Sequence, residues 1–182
     1  MESNRKEFIK KAAFSFMGMA FLPQLFPNSS GDRGAVIMHE NEGETYWIGT
    51  RNSPVTIKVA KDKQGNTSMS FCSELIAPGE SVPIHKHLNE DELIFIHEGE
   101  GVLVHGDEET IVKKGSVAFV PKGIWHSLKN SGSEDLIMIF SYSPAGFEGY
   151  FRELGTPAGI PWKPKTAEEF KKLDEKWGIV YK

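Results

Sequence analysis

The sequence predicts an all-β sandwich or barrel followed by a helical C-terminal segment. Between residues 46 and 143, short apolar or alternating runs recur about every ten residues, and each run ends at glycine, proline or another turn residue. No run in this region has the apolar period of a convincing helix. Many short strands with this glycine and proline punctuation are typical of all-β sandwiches and barrels.

Seven runs have the length and composition of strands. Each is apolar or alternates between apolar and polar residues, and each stops at a recognisable turn such as Pro78-Gly79. The runs cover residues 55–60, 68–76, 93–97, 102–104, 110–112, 117–120 and 136–142. Because the sequence contains no internal repeat, we expect a single barrel within residues 44–145.

Residues 146–182 change in character and predict a helical extension. Thr166 and Glu169 have the spacing of a capping box, in which two side chains cap the start of a helix. Apolar residues at helical spacing and a C-cap glycine follow at Phe170, Leu173, Trp177 and Gly178. We expect this helix to lay its apolar face on the barrel or on a second subunit.

Composition is ordinary for a soluble globular domain and excludes several functions. The chain of 182 residues carries a formal net charge of -4. This charge gives no electrostatic case for nucleic-acid binding, which needs a basic face, so we expect no nucleic-acid partner. Cys72 is the only cysteine, which excludes an internal disulfide and a zinc site built from several thiolates. Because Cys72 lies in a strand-like run, we expect it to be a small buried side chain.

Residues 1–30 differ from the rest of the chain and have the architecture of an export signal. A basic start that includes Arg5 and Lys6 leads into an apolar stretch over residues 12–22. The start resembles a twin-arginine signal in which Lys6 replaces the second arginine, and no small-x-small cleavage site is evident. The apolar stretch is too short to span a bilayer, so we expect no stable membrane span. We predict an exported, periplasmic protein; the alternative is a cytoplasmic protein with an amphipathic N-terminal helix.

Two histidines and a glutamate predict most of a metal site. His85 and His87 are two residues apart in a strand-like run, so their imidazoles point to the same face of the sheet. Glu92 follows within one turn and adds a carboxylate. The fourth ligand should come from a neighbouring strand, and His126, in a second run with glycine and proline turns, supplies it. A histidine and carboxylate set without sulfur suits several first-row metals.

These two runs resemble the two signature motifs of the cupin superfamily. The matching residues are Gly79, His85, His87, Glu92 and Gly99 in the first run, and Gly115, Pro121, Gly123, His126 and Asn130 in the second. The resemblance implies a double-stranded β-helix, or jelly-roll barrel, with one divalent metal ion near its centre. The metal ligands that it implies are His85, His87, Glu92 and His126. A metal-free barrel with a polar interior is the alternative.

The remaining histidines and Glu74 are weaker candidates for the site. His97 is an odd number of residues from Glu92, so strand alternation puts it on the opposite face. His105 precedes an apparent hairpin turn and His39 lies ahead of the barrel, so we expect none of the three to bind metal. Glu74 could point inward as a catalytic acid or base, or as the residue that orients a ligand imidazole. A surface carboxylate is the alternative.

Two classes of function fit these residues. Over residues 44–160 the chain looks like a bacterial group of one-barrel cupins called quercetin-dioxygenase-like. This resemblance favours a metal-dependent dioxygenase for a small organic substrate, with aromatic compounds as one candidate class. Four protein ligands leave two positions open on an octahedral ion, and the substrate and dioxygen would bind there. The alternative is a barrel that binds a small ligand without turnover, or a Lewis-acid isomerase. Fe²⁺ is the favoured ion, with Mn²⁺, Ni²⁺ and Zn²⁺ as alternatives, and the resemblance makes a homodimer plausible.

Overall fold

The chain folds into two facing antiparallel sheets. The computed structural model describes residues 35–64, 67–157 and 159–182, so the predicted leader over residues 1–30 lies outside the described residues. The first ten strands are β1 (Glu44–Ile48), β2 (Ser53–Val59), β3 (Phe71–Ile76), β4 (Ser81–His87), β5 (Asp91–Glu98), β6 (Glu100–His105), β7 (Glu108–Lys113), β8 (Val117–Val120), β9 (His126–Asn130) and β10 (Leu136–Ser143). The elements that follow are α1 (Glu148–Leu154), β11 (Thr156–Pro157), α2 (Ala167–Trp177) and β12 (Ile179–Tyr181).

The strand order is that of a jelly-roll barrel. One sheet has seven strands in the order β11-β1-β2-β3-β10-β5-β8, and the other has five in the order β12-β4-β9-β6-β7. Neighbours in the sheets are frequently distant in sequence, as with β3 and β10 or β4 and β9. The predicted all-β, double-stranded β-helix with a short helical extension is therefore confirmed.

The core lies between the two sheets and is built by simple strand alternation. In β2, Val55 and Ile57 point inward and are buried. The residues that alternate with them, Thr56 and Lys58, are only partly buried. An antiparallel strand with one face on the core is expected to show this period of two. Cys72 in β3 is also fully buried, as predicted, and its burial raises the pKa of the thiol.

All seven predicted runs fall on strands, although their ends differ. The run over residues 117–120 coincides with β8, whereas the run over residues 68–76 begins three positions before the start of β3 at Phe71. Ser70 explains this late start of β3. Its hydroxyl accepts a hydrogen bond from the Tyr142 backbone and its carbonyl accepts one from the Ser141 hydroxyl, in place of a continued ladder with β2.

The capping box predicted for the extension is present at the start of α2. The Thr166 hydroxyl accepts a hydrogen bond from the Glu169 backbone, and the Glu169 carboxylate accepts one from the Thr166 backbone at 2.7 Å. Gly178 ends the helix in the left-handed conformation, with φ 65. Leu173 is buried, and Trp177 is packed against the core at its edge. The apolar face of α2 therefore lies on the barrel.

The extension also contains three elements that the sequence does not predict, namely α1, β11 and β12. Helix α1 has only seven residues, contains Gly149, and has no side-chain cap at Phe147, so the usual signals of a helix start are missing. Strands β11 and β12 are two and three residues long, too short for alternation to show. Both nevertheless join the barrel sheets, β11 on β1 and β12 on β4.

The outer face of the seven-stranded sheet exposes several apolar side chains. Val117 and Phe119 on β8 are 61% and 63% exposed, and Leu93 lies opposite Phe119 on β5. The homodimer expected from the sequence stays a prediction. Among the described residues, none of the helices has the length and apolar character needed to cross a membrane.

Candidate metal centre

Both sheets contribute side chains to one cluster inside the barrel. Strand β4 carries His85 and His87 on its inner face, and the outward Lys86 between them is only partly buried. Strand β9 pairs with β4 so that His126 lies directly opposite His85. Glu92 comes from β5, in the facing sheet. The strand pairing and alternation predicted from the sequence therefore bring these four side chains together.

Four potential metal-binding atoms of this cluster lie within 4.8 Å of one another. The Nε2 atoms of His85 and His87 are 3.2 Å apart. Glu92 Oε2 lies 3.3 Å from His87 Nε2 and 2.8 Å from His126 Nε2. All four side chains are buried, with residue exposures of 6% or less. The described residues thus shield the cluster from bulk water.

Backbone carbonyls fix the orientation of two of the imidazoles. His85 Nδ1 is 2.8 Å from the carbonyl of Pro83, and His126 Nδ1 is 3.0 Å from that of Ile124. A carbonyl only accepts hydrogen bonds, so each Nδ1 carries a hydrogen, and each Nε2 is directed into the cluster, where it can offer a lone pair to a metal ion once it carries no proton. The Nδ1 atom of His87 is buried with no hydrogen-bond partner among the described residues.

The arrangement fits a divalent first-row metal ion. Two ligand atoms that are each about 2.1 Å from one ion and at right angles to each other lie about 3.0 Å apart. The observed separations of 2.8, 3.2 and 3.3 Å are close to this value. Three imidazole nitrogens and one carboxylate oxygen suit iron, manganese, nickel or zinc. The cluster can therefore hold a metal ion.

The charges within the cluster favour the protonation states that a metal requires. Burial alone would raise the pKa of Glu92, but its bonds to His126 and His87 outweigh this effect and hold the pKa below its usual range. Burial, with His126 and His87 close by, lowers the pKa of His85 well below that of an ordinary histidine. Burial would likewise lower the pKa of His126, but the Glu92 carboxylate raises it. The carboxylate is therefore ionised and His85 is neutral near pH 7.

Glu74 points into the barrel, so the surface position considered from the sequence is wrong. It is fully buried and accepts hydrogen bonds from Arg51 Nε at 2.6 Å and Arg51 Nη2 at 2.8 Å, and from the Ser53 hydroxyl. It makes no hydrogen bond to a described histidine, and it therefore does not orient a ligand imidazole directly. Its catalytic role stays a prediction.

A small cavity adjoins the cluster, and the Arg51–Glu74 pair forms part of its wall. Its volume is about 20 Å³, which is room for about one water molecule. The remaining walls are mainly aromatic and apolar. They are formed by Val82, Met138, Phe140, Tyr142, Phe147, Tyr150, Phe151, Ile179 and Tyr181, with His85 and Glu92 at the cluster. Ile94 and Ile96 lie on the same face of β5 as Glu92 and are buried, but they do not line this cavity.

The other histidines lie away from the cluster, as predicted. His97 and His39 are exposed. His105 Nε2 is 2.9 Å from the Thr110 hydroxyl at the β6–β7 hairpin. The cluster therefore takes its three histidines from β4 and β9.

Arg51 and Tyr181 are the cavity residues that the sequence does not indicate. Arg51 lies in the turn between β1 and β2, and no spacing rule joins it to Glu74, which is 23 residues further on. Tyr181 lies on β12, directly opposite His85 on β4, with the two ring centroids 5.8 Å apart. Only the closure of the barrel and the pairing of β12 with β4 bring these side chains to the metal centre.

Comparison with known proteins agrees with this architecture. The family described as Cupin domain matches residues 73–142. The oxalate-binding protein of Thermotoga maritima is 36% identical over 78 residues, which are 43% of this chain and 64% of that protein. An uncharacterized protein of Methanocaldococcus jannaschii is 31% identical over 80 residues, with the same two shares. The chain thus spans less than two thirds of the length of these curated relatives.

Two solved structures share the fold at low sequence identity. The KdgF structure from Halomonas sp. has a TM-score of 0.55 at 13% identity, and covers 64% of this chain and 99% of that one. An RmlC-like cupin from Shewanella frigidimarina has a TM-score of 0.52 at 18% identity, and covers 62% of this chain and 93% of that one. The family match shows that residues 73–142 form a cupin domain, and these two structures share its fold.

Proposed function

We propose that this cupin binds one divalent metal ion and is an iron-dependent dioxygenase for a small organic substrate. The proposed ligands are His85, His87, Glu92 and His126. The observation that carries the proposal is the convergence of three imidazole nitrogens and one carboxylate oxygen, all buried, beside a cavity with aromatic walls. A bound Fe²⁺ ion would supply the one-electron chemistry that activates dioxygen, which a protein side chain cannot supply alone.

The protein's contribution is to hold its ligands in place and to keep water out. The carbonyls of Pro83 and Ile124 hold the rings of His85 and His126, so these rings need no reorganisation when an ion binds. Aromatic side chains such as Phe147 and Tyr142 pack around His87, with ring centroids 4.3 and 4.9 Å away. This packing excludes bulk water, which strengthens electrostatic interactions inside the site.

The balance of buried charges favours a monoanionic substrate. A buried charge is costly unless an opposite charge lies close by. Arg51 already balances Glu74 through two hydrogen bonds. Glu92 offsets only one of the two charges of a divalent ion, so the four-ligand cluster would retain one positive charge. A carboxylate, or a deprotonated enol or phenol, would neutralise it.

Metal binding is tested by substituting one buried and one exposed histidine. His126→Ala removes a ligand bonded to Glu92, and we expect it to reduce the metal content sharply from about one ion per chain. His97→Ala is the matched control, because His97 lies on a neighbouring stretch of sheet but is exposed. The metal content of both variants is measured by elemental analysis, and equal losses of metal in the two variants would contradict the assigned ligand set.

Dioxygenase activity is tested by comparing two metals with and without oxygen. The Fe²⁺-loaded protein should consume dioxygen only in the presence of a suitable small organic anion, measured by an oxygen electrode over a panel of aromatic and enolic acids. The Zn²⁺-loaded protein should bind the same compounds without turnover, because zinc has no accessible redox change. Turnover by the zinc form without oxygen would refute the dioxygenase and support a Lewis-acid isomerase.

One relative favours a second candidate, in which the site binds a small organic acid without converting it. The Thermotoga maritima protein that is 36% identical over 78 residues is named for oxalate binding. Calorimetry with oxalate on the metal-loaded protein tests this candidate directly. Tight binding of oxalate, with no oxygen uptake and no product, would favour a binding protein over the dioxygenase.

A further inference from the structure

Strand β12 places one polar side chain against the metal centre. Tyr181 lines the small cavity beside His85, and its ring lies 5.8 Å from the ring of His85. Its hydroxyl is 2.9 Å from the hydroxyl of Tyr150, which also lines the cavity. Tyr150 in turn donates a hydrogen bond to the Asp174 carboxylate on α2, at 3.2 Å. A chain of hydrogen bonds thus runs from the helical extension to the cavity.

The Asp174 carboxylate at one end of these hydrogen bonds determines which hydroxyl is the donor in each of them. Each tyrosine hydroxyl has a single hydrogen to donate, and an ionised carboxylate can only accept. Because a charged acceptor forms the stronger bond, the Tyr150 hydrogen goes to Asp174. The hydrogen between the two tyrosines must then come from Tyr181. The oxygen of Tyr181 is left with lone pairs alone, and the described residues place no donor on them.

We propose that Tyr181 is a specificity-determining residue of the metal centre, which offers the ligand a hydrogen-bond acceptor. Tyr150 and Asp174 are positioning residues that fix this polarity. The inference rests on the proposed metal site and names the class of ligand more closely. It is a small ligand that brings its own O–H or N–H hydrogen to the wall formed by Tyr181, such as a hydroxy or enolic acid. Because the cavity has room for about one water molecule, a ligand of this size must displace side chains of the cavity wall when it enters. Anions that carry only acceptors are disfavoured there.

The size of the effect follows from the cost of an unmatched polar contact. Two acceptors that face each other in a buried site cannot form a hydrogen bond, and neither can turn to water. If the Tyr181 hydroxyl instead points its hydrogen into the cavity, it can donate that hydrogen to the anion, and the contact becomes a hydrogen bond. We expect the change to alter the affinity for an acceptor-only anion by about tenfold.

Azide is a suitable probe because it is small, monoanionic and has acceptors only. The Co²⁺-loaded full-length protein would be titrated with azide, and binding followed by the visible absorption of the ion. Tyr150→Phe removes the acceptor of the Tyr181 hydrogen and frees that hydrogen to face the cavity. We expect azide to bind about tenfold more tightly than to the unsubstituted protein. Tyr150→Phe combined with Tyr181→Phe should bind azide as Tyr181→Phe alone does.

Two further variants separate polarity from general damage. Asp174→Ala is a milder change at a partly exposed helix position, and it frees the Tyr150 hydrogen to be donated to Tyr181. It should therefore also tighten azide binding, by about threefold or more. Tyr46→Phe is the matched control, because Tyr46 bonds to Glu44 at 3.2 Å and does not line the cavity. It should leave azide binding unchanged.

The outcomes distinguish this inference from the proposed function. Absence of Co²⁺ binding in the unsubstituted protein would refute the metal site, and the inference with it. If Co²⁺ binds, but Tyr150→Phe and Asp174→Ala leave azide affinity unchanged or weaker, the inference alone is refuted. A gain that persists in the double variant would also refute it, because the effect would not then pass through the Tyr181 hydroxyl.

Discussion

The buried ion pair between Arg51 and Glu74 should be one of the most sensitive points of the fold. Both side chains are almost fully buried, and Glu74 Oε1 and Oε2 lie 2.6 and 2.8 Å from two nitrogens of the same guanidinium. Glu74→Ala would leave the Arg51 charge buried without its partner. Breaking a buried pair in this way costs about 3–5 kcal/mol of stability. For a chain of this size, that loss corresponds to a fall in Tm of about 6–20 °C.

The assay is thermal and urea unfolding of the metal-free protein, followed by circular dichroism. The matched control is Glu98→Ala, which breaks a Lys114 pair with the same 2.6 Å separation on the surface. Because water screens that pair, we expect its loss to leave the Tm nearly unchanged. Arg51→Met combined with Glu74→Leu removes both charges and should recover most of the stability lost by Glu74→Ala.

Two results would refute this reasoning. The first is a Tm for Glu74→Ala within a degree or so of that of the unsubstituted protein, in which case the pair would contribute no more than an exposed one. Alternatively, the apolar double variant could prove no more stable than Glu74→Ala, which would show that the loss comes from packing rather than from an uncompensated charge.

Metal affinity should fall at acidic pH, because Glu92 raises the pKa of His126 and a proton then competes with the metal for this ligand. Below that pKa, each drop of one pH unit should weaken the metal affinity about tenfold, measured by competition titration. Affinity should stop rising once the pH exceeds that pKa. Thr166→Ala should lower stability to urea by about 1 kcal/mol, because it removes the α2 cap. Fusion of residues 1–30 should export a folded reporter, and Arg5→Gln should reduce export, measured by cell fractionation.

The metal ligands could be predicted because local rules fix their geometry. Alternation places His85 and His87 on one face of β4, and turn residues punctuate the run that leads to His126. Pairing of β4 with β9 then puts His85 opposite His126, as expected for neighbouring strands. The same alternation correctly turned His97 outward. The parts of the site that depend on strand period were therefore accessible from the sequence.

The walls of the cavity could not be predicted, because they depend on how the barrel closes. Arg51 lies in a turn, where no period assigns its side chain to a face, and Glu74 meets it only when β1–β3 are assembled. Tyr181 lies on a strand of three residues, and its partner Tyr150 is 31 residues away on α1. Ile94 and Ile96 lie on the same face of β5 as Glu92, but the cavity wall is formed by their partners on β10, Phe140 and Met138.

Strand β12 also affects how two molecules of this protein can meet. Without it, β4 would be the outermost strand of the five-stranded sheet, with unpaired N–H and C=O groups beside two histidines. Such an edge can pair with the same edge of another molecule. By covering this edge with a strand of only three residues, β12 shortens the edge that remains open to pairing with another molecule.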